Sequence, residues 1–270
     1  MDGTPSSIPA EDLYARLGTA TAPVLLDVRR SDDLTEVDCL VVSAIPLDMT
    51  GLQWIDHLPT GNAVVVYCGD GQEVSRNAAA KLRAAAIDAA YLEGGIAGWL
   101  KRDLPTCRKF SARGHTWVTR ERPKIDRIAC PWLIQRFIDP LARILYVPAG
   151  DVRAAAAKTG ATPFDIEGVE FAHEGDRCSF DTLLRIYGIK DTALDRLATI
   201  VRGADTSRHD LAAQCGGLFA ISLGLSANFP NDHKMLAHGM VMYDALYVWC
   251  RSLQSETHNW PTKTSISLAS

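Results

Sequence analysis

The sequence predicts an α/β first half, a parallel sheet flanked by helices, followed by a mixed, mainly helical second half. Two observations carry the first part: short valine-rich apolar runs at 24–29 and 63–68, and the alanine-rich segment 75–86 that separates the second run from another strand beginning at 89. Apolar runs of this length suit strands buried on both faces of a parallel sheet, and alternation with helical segments implies right-handed crossovers. A third observation marks the division. Residues 1–100 carry 14 acids and 6 bases (−8), residues 101–127 carry 9 bases and 3 acids (+6), and residues 128–270 carry 13 bases and 15 acids (−2). The basic block contains Pro105, Gly114 and Pro123, so it reads as a joint between two domains.

The elements follow in order. Pro9 with Glu11 and Asp12 opens a short helix over 9–17, where the acids complement the helix dipole. Strands come next at 24–29 and 63–68, a helix at 75–86 and a strand from 89. In the second half the pattern predicts strands at 116–119, 142–150 and 169–175. Helices are expected at 125–138, with Pro131 marking a late start or a kink, and at 151–160, closed by Gly160. Further helices are expected at 179–187, 191–203, 209–224 and 231–254. In the last, Met235, Leu236, Met240, Tyr243, Leu246, Tyr247 and Trp249 read as packing, in the core or at the face of a homodimer, rather than as a cofactor box.

Length and composition bound the function. At 270 residues, 47% hydrophobic and 22% charged, the chain is ordinary globular protein of about two domains. No stretch approaches the ~18 apolar residues of a membrane span, and no basic segment followed by an apolar run opens the chain, so a cytoplasmic protein is expected. Seven cysteines form no CxxC pair, which argues against a disulfide framework.

The chemistry concentrates at Cys68. It ends a predicted parallel strand and precedes a helix, where open α/β sheets place their ligands. Loop amides and the helix N-terminus would stabilise a thiolate there. A buried strand-end cysteine is the commoner case, but Gly69 and Gly71 would let the chain curl around the sulfur.

Residues 5–104 resemble a single rhodanese (sulfurtransferase) domain through Leu26-Asp27-Val28-Arg29, Val65-Val66-Tyr67-Cys68 and the segment Leu92 to Trp99. The resemblance implies that Cys68 accepts a sulfane sulfur as a persulfide and passes it to a thiol or cyanide. It further implies that the loop of Gly69, Asp70, Gly71, Gln72, Glu73 and Val74 holds the sulfur, with Asp27 and Arg29 as nearby scaffold. Two departures stand out. Asp70 and Glu73 replace the usual late-loop cation, with only Arg76 following, which weakens attraction for an anionic donor. Residues 41–46 depart from the usual glycine- and histidine-containing segment. Cys39 and Cys107 are the candidates to resolve an oxidised Cys68, a reading placed behind sulfur transfer.

The second half, 113–251, resembles the C-terminal domain of chromate-resistance proteins of the B type. The match runs through Asp126 to Ile134, Phe164 to Ile166, Val169 to Phe180, Val201 to Asp205 and Met240 to Tyr247. It implies a link to chromate tolerance and supplies no catalytic residues. In this half His173 and Glu174 are adjacent, and Asp205 lies four residues before His209; His173, Glu174 and Asp205 are the candidate metal or polar site. For any single histidine, His209, His233 and His238 included, a satisfied or solvent-facing imidazole is the commoner case. A metal ion in this half is the cofactor the sequence suggests.

The expected domains are thus 1–106, 107–255 and a tail, 256–270. The expected function is persulfide transfer through Cys68 linked to chromate resistance, with small sulfur donors and acceptors as partners. The alternative is oxyanion or metal sensing with a non-catalytic rhodanese fold. Nucleic acid is disfavoured, since only 101–127 is basic; that block reads as a linker packing on the acidic first domain or as an oxyanion-attracting rim.

Overall fold

The computed structural model describes residues 6–30, 37–47, 62–109 and 115–256. In the first half, strands β1 (Ser7–Ile8), β2 (Val24–Asp27), β4 (Ala44–Pro46), β5 (Val64–Tyr67) and β6 (Ala89–Leu92) form one all-parallel sheet in the order β1-β6-β5-β2-β4. Helices α1 (Ala10–Arg16), α2 (Glu73–Ala84) and α3 (Gly95–Lys101) flank it. A separate antiparallel pair joins β3 (Cys39–Val41) to β7 (Thr106–Arg108).

Alternation along β5 explains the layering. Val64, Val66 and Cys68 face α2, where they pack with Ala78, Ala79 and Leu82, while Val65 and Tyr67 face the opposite layer. That second layer holds Leu13, Leu17, Ile96 and Trp99 and is continuous with the core of the second half.

The second half has a three-stranded parallel sheet, β10-β8-β9, of β8 (Thr116–Arg120), β9 (Arg143–Val147) and β10 (Thr162–Pro163). Its helices are α4 (Asp126–Leu133), α5 (Val152–Thr159), α6 (Ser179–Tyr187), α7 (Thr192–Asp205), α8 (Cys215–Asn228) and α9 (Asp232–Val248). Trp132, fully buried, gathers Phe137, Phe180, Tyr243 and Tyr247 at ring separations of 5.4 to 6.4 Å. Each such buried aromatic contributes roughly 1.5–3 kcal/mol of transfer free energy. The face of α9 carrying Met235, Leu236, Met240, Tyr243 and Tyr247 is core, as its spacing predicts, whereas Leu246 and Trp249 are only partly buried.

Three expectations need correcting. Pro131 does not delay α4: the helix starts at Asp126, and the carbonyl of Arg127 that Pro131 cannot reach accepts the Tyr146 hydroxyl at 3.4 Å. The ladder then loosens into a π turn over Ile134–Ile138. Segment 169–175 is not a strand, having only isolated bridges from Phe164 to Phe171 and from Glu174 to Arg177. Finally, α8 begins at Cys215 rather than 209, because Ser207 at φ 59° and the Arg208–Asp210 pair turn the chain first.

No helix among the described residues is long and apolar enough to cross a membrane.

Candidate functional sites

The carboxyl end of β5 adjoins that of β2, with Asp27 opposite Tyr67. The chain leaves these two strands toward opposite edges of the sheet, since β4 lies beyond β2 and β6 beyond β5. Cys68 therefore sits at the switch point, the crevice where open α/β sheets bind ligands. It is 4% exposed.

Close backbone packing shapes its loop. Gly71 has φ +72°, and a Cβ on it would lie 2.6 Å from the amides of Gly94 and Gly95. Gly95 has φ +55°, and a Cβ there would lie 2.4 Å from the Cys68 carbonyl. The N-terminal amides of α3 complete the clasp, Ile96 donating to Cys68 O and Ala97 to Gly69 O, both at 3.0 Å. Gly71 thus lets the loop pack against the Gly94–Gly95 turn, whereas a Cβ on Gly69 would meet nothing within 4 Å.

The sulfur's polar partners are side chains rather than the expected loop amides. The thiol lies 3.5 Å from Asp70 Oδ1 and 3.3 Å from Ser75 Oγ. Asp70 Oδ1 also accepts the Gln72 amide at 3.0 Å, so a carboxylate occupies a donor that a bound anion would use. Glu73 stands in the first turn of α2, and Arg76 is stacked over the Tyr91 ring.

Asp27 and Arg29 form a buried scaffold behind the loop. Arg29 pairs with Asp27 at 2.6 Å and donates to the carbonyls of Val37 and Cys39. The Tyr67 hydroxyl donates to Asp27 and accepts the Val41 amide. Of the suggested resolving cysteines, Cys39 is half-buried and Cys107 is buried on β7, where desolvation pushes its thiol up to about 12.

The second site gathers around His173. Its Nε2 lies 3.2 Å from Asp205 Oδ2, as the sequence suggested, and also 3.3 Å from Asp165 Oδ1 and 3.4 Å from Asp126 Oδ2. Asp126 and Asp165 were not singled out from the sequence, although both fall in segments carrying the second resemblance. Glu174 leaves the cluster: its carboxylate pairs with the exposed Arg185. Of the other histidines weighed above, His209 packs on Phe219, His233 on Tyr146 and His238 on Phe229. His209 also lies beyond the end of α7 and shares no helix face with Asp205.

Asp126 is placed at the first turn of α4 by Ile125, which adopts φ +36°, an unfavourable value for a β-branched residue. Its carboxylate accepts the Ser179 and Phe180 amides at 2.8 and 3.1 Å and so caps α6; the Cys130 thiol donates to Oδ1 at 3.0 Å. Asp165 accepts the Ser179 hydroxyl on Oδ1, with Arg120 and Arg127 at 3.1 and 3.3 Å from Oδ2.

Burial, more than any other influence, raises Asp126 to about 6. Asp126, then Asp165 and Asp205, hold the His173 imidazole up at about 12. Burial opposes ionisation of Asp165, but His173 and Arg120 outweigh it and the group lies below its ordinary value.

The basic block is accordingly divided. Arg102 and Lys109 pair with Glu11 and Asp38 of the first half, as a packing linker would. Arg120 and Arg127 serve the second half's own Asp165, and Arg122 donates to carbonyls of Ser226 and Phe229.

Residues 9–102 match the rhodanese-like domain family, and residues 117–250 match the family described as ChrB, C-terminal domain. Protein ChrB of Cupriavidus metallidurans is 37% identical over 167 residues, covering 60% of this chain and 49% of that protein. The chain thus spans about half the length of the curated relative it matches. Among solved structures, a rhodanese-related protein from Thermoplasma volcanium is 28% identical with a TM-score of 0.31, covering 37% of this chain and 96% of that one. A thiosulfate sulfurtransferase from Pseudomonas aeruginosa is 24% identical with a TM-score of 0.32, covering 38% and 19%. The chain joins a rhodanese-like domain, residues 9–102, to a ChrB C-terminal domain, residues 117–250.

Proposed function

We propose that the chain is a cytoplasmic sulfurtransferase that carries sulfane sulfur on Cys68 in the service of chromate tolerance. The observation that supports it most directly is the placement of Cys68 at the sheet's switch point, inside a loop clasped by Gly71 and Gly95. In the proposed reaction the Cys68 thiolate attacks the outer sulfur of a donor such as thiosulfate. A Cys68 S–S bond forms as the donor's S–S bond breaks, and sulfite leaves with the electron pair. Cyanide or a thiolate then takes the outer sulfur, returning the electron pair to Cys68. Gly69 to Val74 frame the sulfur, and Asp27 and Arg29 act as positioning residues through Tyr67.

A second reading, oxyanion or metal sensing with the rhodanese fold regulatory, is favoured by one observation: Asp70 presents a carboxylate on the sulfur's side of the loop.

Intact-mass measurement after incubation with thiosulfate or polysulfide separates the two. Sulfur transfer predicts a gain of about 32 Da, one sulfur, on Cys68, released by cyanide as thiocyanate. It also predicts loss of both signals in Cys68→Ser with an unchanged circular dichroism spectrum. Absence of the adduct in the wild type, or thiocyanate formation undiminished in Cys68→Ser, overturns the reading.

A further inference from the structure

Three stretches of chain, around residues 126, 165–173 and 205, bring Asp126, Asp165 and Asp205 around one nitrogen of His173. That nitrogen carries at most one proton, so the three oxygens can share it only as a divided, bent hydrogen bond. None of the separations, 3.2, 3.3 and 3.4 Å, is as short as the ~2.7–2.9 Å of a charge-assisted hydrogen bond. They match a different arrangement. Nitrogen and oxygen ligands about 2.0–2.2 Å from an ion, at angles between octahedral and tetrahedral, stand about 3.0–3.5 Å apart. The ligand atoms of Asp126, His173 and Asp205 all lie within 4.8 Å of one another.

The supporting shell is built as a metal site requires. Asp126, 1% exposed, is fixed through the Ser179 and Phe180 amides and the Cys130 thiol, and its Oδ2 is turned to His173. Asp165 is fixed by the Ser179 hydroxyl and two arginines. Asp205 closes the set from the last residue of α7. A cavity of about 550 Å³, lined by Arg120, Asp165, Glu167 and His173 among others, reaches the cluster from solvent.

We propose that Asp126, His173 and Asp205, with Asp165 beside them, bind one divalent first-row transition ion whose open coordination position faces this cavity. The donor set selects the class. One imidazole among carboxylates suits Mn²⁺, Fe²⁺ or Zn²⁺, whereas Ca²⁺ and Mg²⁺ prefer oxygen alone and soft ions need thiolate. Cys130 points its thiol at Asp126 Oδ1 and stays outside the coordination sphere. The open position, with Arg120 on the cavity wall, suits an anionic ligand such as a carboxylate or a tetrahedral oxyanion. The inference is independent of sulfur transfer at Cys68.

The test uses the full chain, stripped with a chelator, equilibrated with Mn²⁺ or Zn²⁺ and desalted. Elemental analysis is expected to give one ion per chain, and electron paramagnetic resonance a bound Mn²⁺ signal. His173→Gln and Asp205→Asn are expected to weaken binding at least about 10-fold while circular dichroism stays unchanged, and Glu174→Gln is expected to bind as wild type does. Asp126 is left intact because it also caps α6. Absence of a retained ion in the wild type with both metals, or undiminished binding in both His173→Gln and Asp205→Asn, overturns the proposal. So does a loss in Glu174→Gln equal to that in His173→Gln.

Discussion

The Tyr14 hydroxyl donates to Asp191 Oδ2 at 2.6 Å, joining α1 of the rhodanese-like domain to the residue that caps α7 of the ChrB C-terminal domain. Asp191 also accepts the Leu194 amide at 2.9 Å and the Tyr247 hydroxyl at 3.2 Å. Nearby, Arg251 donates to the carbonyls of Tyr14, Ala15 and Leu17, satisfying the C-terminal end of α1 from the other domain. Asp191→Ala removes a helix cap, worth ~1 kcal/mol, and leaves the buried Tyr247 hydroxyl short of an acceptor, at ~1–3 kcal/mol, while the half-buried Tyr14 hydroxyl can turn to water. Calorimetry is expected to show both domains melting in one transition that falls by about 5–10 °C in the variant. Two separated transitions in the wild type would contradict the shared core.

The loop makes a paired prediction. Gly95→Ala places a Cβ against the Cys68 carbonyl at a positive φ, whereas Gly69→Ala meets open space. The first is expected to destabilise the protein by about 1–3 kcal/mol and to lower sulfur loading of Cys68. The second is expected to stay within ~0.5 kcal/mol of wild type. Urea titration with intact-mass detection of the adduct reads both effects.

Asp70 sets the third prediction. Its carboxylate takes the Gln72 amide and faces the thiol, so Asp70→Asn removes a negative charge from the path of an anionic donor. At low salt, kcat/KM for thiosulfate is expected to rise roughly 3–10-fold, with the gain shrinking as ionic strength increases. Equal rates for the two proteins at low salt would show that Asp70 does not govern donor charge.

His173 sets the fourth. Its imidazole is raised from 6.5 to about 12, so the folded state keeps a proton that the unfolded state loses. The resulting stability is fully present below about pH 6.5 and is lost as pH rises toward 12. Metal-free wild type is therefore expected to lose urea resistance between about pH 7 and 8.5, and His173→Gln to show a flatter profile there. Indistinguishable slopes would remove the three carboxylates as the cause.

The first domain was legible because its signals are local. Valine runs, the alanine-rich crossover and the residues around Cys68 each lie within a dozen positions, and they fix a parallel sheet with the cysteine at a strand end. The antiparallel β3-β7 pair was not legible, since its strands of three residues are set by tertiary pairing alone. In the second domain His173 and Asp205 were recognised, but adjacency suggested Glu174, and the irregular chain at 169–175 turns that residue outward. Asp126 and Asp165 carry no local mark: one reads as the first turn of a helix and the other as a loop acid. Their roles appear only when α6 presents its N-terminal amides to Asp126 and the Ser179 hydroxyl to Asp165.

The near-complete burial of Cys68 bears on which molecules can relieve it of sulfur. A second sulfur would extend the side chain by about 2.05 Å toward the Asp70 side of the loop. A folded protein presenting a flat surface could not follow it there. Under the proposed sulfur transfer the recipient would be slender: a low-molecular-weight thiol, or a cysteine carried on a protruding tip. Steric reach, as much as reactivity, would then decide where the sulfur goes.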